Sequence, residues 1–210
     1  MAKTVENRPD PLVGVLISGR GSNLQALIDA RRDGRLAARI AVVISNHAEA
    51  GGIARARAAG IETLVISHRD FGSRDEYDQA LVAALRARGV VLVCLAGFMR
   101  LLGRGFCDAF PHAVLNIHPS LLPSFPGTDA QRQALDHGVR ISGATVHFVT
   151  PELDAGPIVL QQSVALADDD TAESLAERIL AVEHQLYPDA VQRVLHRRWH
   201  LDGRRVVFGN

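Results

Sequence analysis

The chain has 210 residues, 47% of them hydrophobic, with 23 basic residues against 23 acidic ones. At roughly 150 residues per domain this length favours one generous domain, and the apolar fraction excludes a disordered chain or a small disulfide-stapled one. Zero net charge removes any general electrostatic case for nucleic acid or an anionic membrane surface as partner. Cys94 and Cys107 lie in apolar surroundings outside any CxxC pattern, as expected of buried thiols in a reducing compartment. The polar segment from Met1 to Asp10 lacks an apolar targeting core, and no apolar run reaches membrane-spanning length. A soluble, cytoplasmic protein is expected.

In chain order, five short runs rich in β-branched residues read as strands: Leu12 to Ile17, Ile40 to Ile44, Thr63 to Ile66, Val90 to Leu95 and Ala113 to Ile117. Helical patterns separate the first four, over Asn23 to Arg32, Gly52 to Ala59 and Arg74 to Arg88. Such alternation predicts βαβ units and a mostly parallel sheet with helices on both faces. The second half differs. Ser142 to Val149 and Pro157 to Ala165 are strand-like and close together, so they extend the sheet partly in antiparallel fashion. A long helix follows, capped by Asp170 or Thr171 and running to about Arg198 unless Pro188 kinks it. Two weak strand-like pieces flank Gly203. The expected fold class is a single-domain α/β protein, Rossmann-like, spanning 1–210. Its N-terminal half, about 12–100, would bind phosphate, and its C-terminal half, about 101–200, would carry the catalytic groups.

Three stretches have the residue types that chemistry needs. Ser18-Gly19-Arg20-Gly21-Ser22-Asn23 sits where the first strand turns into the first helix. Amides of Arg20 to Asn23, with the Ser22 hydroxyl, would point at an anion on the helix N-terminus. The stretch fails both GxGxxG and GxxxxGK[ST], so a phosphate monoester fits better than a dinucleotide or a nucleoside triphosphate. The bland reading is a glycine turn capped by Ser22. Asn116-Ile117-His118-Pro119 lies at the carboxyl end of the fifth strand, the edge where open α/β sheets bind ligands. Alternation puts Asn116 and His118 on one face, able to donate to a developing oxyanion or to shuttle a proton, against the bland reading of a satisfied core histidine. Asp154, before a Gly-Pro turn, would orient His118 and raise its pKa, or would serve only as a turn former. His147 reads as a supporting polar group or a core filler. A two-His, one-carboxylate metal site from His118, His147 and Asp154 lacks any supporting local spacing, and no metal is expected. Arg100 follows the fourth strand, and the stretch from Arg193 to Arg198 reads as a solvated helix end.

Four motifs in order, Val15 to Gln25, Leu95 to Arg100, Asn116 to Pro123 and Val146 to Pro157, resemble the phosphoribosylglycinamide formyltransferase family over about Leu12 to Pro188. The resemblance implies direct transfer of the formyl group of 10-formyltetrahydrofolate, a co-substrate, to the amine of glycinamide ribonucleotide in de novo purine synthesis. It implies Asn116, His118 and Asp154 as the catalytic trio. It assigns Arg20, Gly21, Ser22 and Asn23 to the substrate phosphate and Glu183 to its amine. A folate pocket is implied from Arg74, Phe98, Met99, Arg100, Leu101, Leu102, Asn116, Phe148, Val149 and Asp154. Partners would be these two small molecules, with no nucleic acid and no membrane; a homodimer stays open. Arg20 and the run Thr128 to Gln133, where the family often has histidines, depart from the pattern. A methionyl-tRNA formyltransferase would need a further basic C-terminal domain, and a formyltetrahydrofolate hydrolase an N-terminal one. A non-catalytic nucleotide- or folate-binding module would lack the polar trio.

Overall fold

The computed structural model describes residues 10–209, and the polar segment 1–9 lies outside the described residues. Five strands come first: β1 (Leu12–Ile17), β2 (Arg39–Ser45), β3 (Thr63–Val65), β4 (Leu92–Leu95) and β5 (Val114–His118). Between them lie α1 (Ser22–Arg32), α2 (Gly51–Ala58), α3 (Arg74–Arg86) and α4 (Arg104–Ala109). There follow α5 (Ala130–Asp136), β6 (Ile141–Phe148), β7 (Ile158–Ala165), α6 (Ala172–His196), β8 (Trp199–Asp202) and β9 (Arg205–Phe208). All nine strands form one sheet in the order β3-β2-β1-β4-β5-β6-β7-β9-β8. β1 to β5 pair in parallel, β5-β6 and β6-β7 antiparallel, so the expected mostly parallel sheet with an antiparallel extension is what forms. The short helices α4 and α5, six and seven residues long, span too few turns for periodicity to reveal them in the sequence.

The chain winds from β1 outward to β3, then returns to place β4 on the other side of β1. That reversal opens a crevice at the carboxyl ends of β1 and β4, the usual ligand position in such sheets. Side-chain alternation supplies two cores. Val13, Val15, Ile17, Cys94, Leu115 and Ile117 face α1, α2 and α6. Leu16, Val42, Ile44, Val93, Leu95 and Val114 face α3 and α4. Each buried aliphatic side chain contributes about 1.5–3 kcal/mol, so the two layers hold the crevice rigidly. Gly14 lets α3 approach closely, since a Cβ there would lie 2.4 Å from Leu85 Cδ2.

The Thr171 hydroxyl caps α6 by accepting from the Ser174 amide at 3.2 Å, and the Ser174 hydroxyl accepts in return from the Thr171 amide at 2.9 Å. Pro188 stays inside this 25-residue helix, where it removes one rung of the ladder; its ring is buried, and packing on the sheet keeps the helix continuous to His196. The Arg193 to Arg198 stretch is the exposed helix end expected, with Arg193 in the last turn, and Arg197, leaving the helix, sits 5.7 Å from the Phe208 ring centroid. Cys94 is buried as expected, whereas Cys107 on α4 is only half-buried.

Candidate active site

The loop after β1 is built around Gly21. Its φ of +73° is left-handed, and a Cβ there would lie 2.5 Å from the Gly52 Cα at the start of α2, so two constraints demand glycine. Ser22 does not cap α1. Gly21 is the N-cap, no side chain bonds the cap, and the first turn holds no acidic residue. The opening amides of α1 therefore face solvent with the positive end of the helix dipole behind them. The Ser18 hydroxyl ties this loop to its neighbours, donating to Asn46 Oδ1 at 2.6 Å and accepting from the Met99 amide at 2.8 Å. Residues of 18–23, with His47, Met99, Gln131 and Glu183, line a cleft of about 780 Å³.

At the back of that cleft Asn23 Nδ2 donates to Glu183 Oε2 at 2.8 Å, joining α1 to α6. Glu183 is buried, and burial pushes its carboxyl up to about 7, although the Asn23 hydrogen bond works against the rise. Asn23 Oδ1 is buried without a partner.

Asn116 and His118 share a face of β5, opposite His147 and Thr145 of β6. Asp154 approaches from the loop between β6 and β7 with φ +49°, an uncommon conformation for a residue with a side chain. Its Oδ2 lies 3.5 Å from His118 Nδ1 and accepts from the Gly127 amide at 2.8 Å, while its Oδ1 lies 3.6 Å from His147 Nε2. Asn116 Nδ2 is 3.2 Å from the same His147 nitrogen. The trio is therefore brought together, Asp154 beside His118 directly and Asn116 by way of His147, which the strand pattern reads as either a supporting polar group or a core filler. A Val-His-Phe strand pattern gives no hint of what stands across the sheet.

The electrostatics overturn one expectation. Asp154 pulls His118 in the expected direction but is outweighed: burial pushes the imidazole below its ordinary range, and the Phe125 carbonyl and Asp154 only partly oppose that. At neutral pH the ring is uncharged. Its Nε2 is 2.9 Å from the Phe125 carbonyl oxygen, which can only accept, so Nε2 carries the hydrogen and Nδ1 presents a lone pair toward Asp154. Burial would raise the Asp154 carboxyl, but the His147 imidazole beside its Oδ1 and the hydrogen bond from the Gly127 amide hold it below the usual carboxylate range.

Asn116, His147 and Asp154 line a pocket of about 90 Å³ together with Phe98, Arg100, Leu101, Leu102 and Val149. This pocket and the larger cleft both draw their walls from residues 95–102. His118 lines neither; it stands behind Asp154, 4% exposed. Met99 lines the larger cleft and is 73% exposed. Phe148 is a core residue whose ring meets Trp199, and only its backbone serves the site, its carbonyl oxygen lying 3.0 Å from His147 Nδ1. Arg74 lies apart, in a groove with Asp78 and Arg104. Among the described residues no cluster of three His, Cys, Asp or Glu side chains is arranged to hold a metal ion, and no helix is long and apolar enough to cross a membrane.

Residues 13–191 match the family described as formyl transferase. The chain is 43% identical to the phosphoribosylglycinamide formyltransferase of Escherichia coli strain K12, covering 93% of this chain and 90% of that one. It is 49% identical, over 87% of its length, to the human trifunctional purine biosynthetic protein adenosine-3, and spans 18% of that relative. The crystal structure of glycinamide ribonucleotide transformylase 1 from Symbiobacterium toebii superposes with a TM-score of 0.96 at 50% identity, covering 100% of this chain and 99% of that one. Similarity of this extent, over the strands and loops that build both pockets, means that the chain belongs to the formyl transferase family.

Proposed function

We infer that this protein is a phosphoribosylglycinamide formyltransferase, moving the formyl group of 10-formyltetrahydrofolate to the amine of glycinamide ribonucleotide in purine biosynthesis, in the cytoplasm. The observation that carries the reading is the meeting of Asn116, His118, His147 and Asp154 at the carboxyl ends of the central strands in a chain of this family. The uncapped N-terminus of α1, with Arg20, Gly21, Ser22 and Asn23, takes the nucleotide's phosphate. Glu183 faces its amine. The smaller pocket, with Phe98, Arg100, Leu101, Leu102 and Val149, takes the folate. Arg74 has no part in this reading.

The amine nitrogen attacks the formyl carbon, forming a C–N bond and placing negative charge on the formyl oxygen. Asn116 Nδ2 has two hydrogens; one points to His147, and the other donates to that oxygen. His118 enters the reaction neutral. The proton lost by the amine passes to the Asp154 carboxylate and His118 Nδ1, and then to the folate nitrogen as its bond to carbon breaks. No covalent enzyme intermediate is required, so both cysteines are dispensable.

The test is to mix the protein with 10-formyltetrahydrofolate and glycinamide ribonucleotide and follow folate absorbance. A change that needs both substrates supports the transferase. A change with the folate alone indicates hydrolysis, and binding without change indicates a non-catalytic module.

A further inference from the structure

The hairpin β8–β9 joins the sheet at its edge, yet it reaches the loop that carries Asp154. β9 pairs with β7 through Arg205 and Ile158, and the preceding Arg204 donates Nη2 to the Ala155 carbonyl oxygen at 2.6 Å. Trp199 stacks on Phe148 with ring centroids 5.0 Å apart, and its Nε1 donates to the Val194 carbonyl on α6 at 3.1 Å. Arg197 holds the other strand, over Phe208. The hairpin is thus anchored to the end of α6 on one side and touches both ends of the segment 148–155 on the other. That segment is demanding to hold. Asp154 is left-handed at φ +49°, and Gly156 runs so close to Phe148 that a Cβ would lie 1.8 Å from the Phe148 carbonyl oxygen. A left-handed residue with a side chain costs on the order of 1–3 kcal/mol and persists where its surroundings over-determine it. The hairpin supplies such surroundings, and it lies beyond the matched region 13–191.

We propose that hairpin 199–208 is a clamp on the carboxylate loop, with Arg204 as a positioning residue that holds Ala155 and, through it, Asp154 against His118 and His147. The role rests on the reading of Asp154 as part of a formyl-transfer site. Without the guanidinium the loop relaxes from its left-handed turn, and Oδ2 leaves the Gly127 amide and His118 Nδ1.

Three variants of the full chain test it: Arg204→Ala, Arg204→Lys, which keeps a cationic donor, and the neighbouring Arg205→Ala. Steady-state kinetics with both substrates are combined with hydrogen exchange of residues 149–157 in the free protein. For loss of one charge-assisted hydrogen bond, Arg204→Ala is expected to lower kcat about five- to twentyfold. The KM for glycinamide ribonucleotide should stay within about twofold and Tm within about 2 °C, since the bond is on the surface. Exchange over 149–157 should rise, Arg204→Lys should restore most of both properties, and Arg205→Ala should match the parent. A kcat within twofold of the parent, a fall in kcat tracked by Tm without faster exchange, or an equal effect from Arg205→Ala overturns the proposal. A parent protein that does not turn over sinks the formyl-transfer reading instead, and the exchange arm still decides whether Arg204 holds the loop.

Discussion

At the scale of single residues, the site depends on polar atoms whose surroundings set their charge. Asn116 and His118 occupy the same face of β5 but different settings: Asn116 is half-buried at a pocket wall, and His118 is sealed behind Asp154. Removing an oxyanion donor from a site of this kind typically costs about 10² to 10³ in rate, so Asn116→Ala should lose at least about 10² in kcat while nucleotide binding persists. His118→Ala should do the same by removing the proton carrier. Near-normal turnover in either, measured by folate absorbance, discards the assignment. Glu183 gives a pH-dependent test of stability. Its carboxyl is raised from 4.5 to about 7, so the folded protein favours the protonated acid. The stabilising contribution is complete below the unfolded pKa and is lost as pH rises through the folded one. Above pH 7 the buried carboxylate costs on the order of 3 kcal/mol at 1.36 kcal/mol per pH unit. Glu183→Gln keeps an acceptor for Asn23, so it should raise Tm at pH 8 and leave it nearly unchanged at pH 4. Equal Tm differences at the two pH values would show that the penalty is absent.

At the scale of elements, the site is held by the ends of helices and strands. Gly21 sets the entry of α1, where any Cβ meets both a left-handed backbone and the Gly52 Cα 2.5 Å away. Gly21→Ala should therefore push α1 from α2, raise the KM for the nucleotide at least about tenfold through its phosphate turn, and cost more than the roughly 1 kcal/mol of an ordinary glycine replacement. Kinetics and thermal melting of the same preparation check both effects. The Thr171 cap is purely structural. Thr171→Ala opens the reciprocal pair with Ser174 and should destabilise by about 0.5–2 kcal/mol, a Tm loss of a few degrees, with kcat unchanged. Tyr187 joins elements differently: its hydroxyl lies 3.0 Å from both the Leu95 and Leu115 carbonyl oxygens, fastening α6 to β4 and β5 just before they deliver the loops of the site.

At the scale of the whole molecule, one nine-stranded sheet runs through both cores, and opening either exposes the other. Cys94 reports this. It is fully buried on β4 and burial pushes its thiol up to about 12, whereas Cys107 is half-buried near the surface. A thiol reagent should therefore modify Cys107 in the native protein and reach Cys94 only as the molecule unfolds globally. Prompt modification of both at neutral pH without denaturant would contradict the joint opening of the two cores. Cys94→Ala, once folded, should retain activity, because direct transfer needs no thiol.

What the sequence determined by itself is local in origin. The β-branched runs, the glycines of the β1–α1 turn and the Thr171-Ser174 pair carry their own conformational preferences, and strand alternation alone put Asn116 and His118 on one face. The order of the motifs along the chain was enough to suggest the family. Tertiary structure decided everything that depends on what lies across the sheet. His147 joins Asn116 to Asp154 because antiparallel β6 sets it opposite Asn116. His118 is neutral because the packed fold buries it, and Arg204 finds Ala155 from 49 residues away. Burial and facing partners are properties of packed elements, and a pKa follows burial, so neither could be read from a residue and its neighbours in the chain.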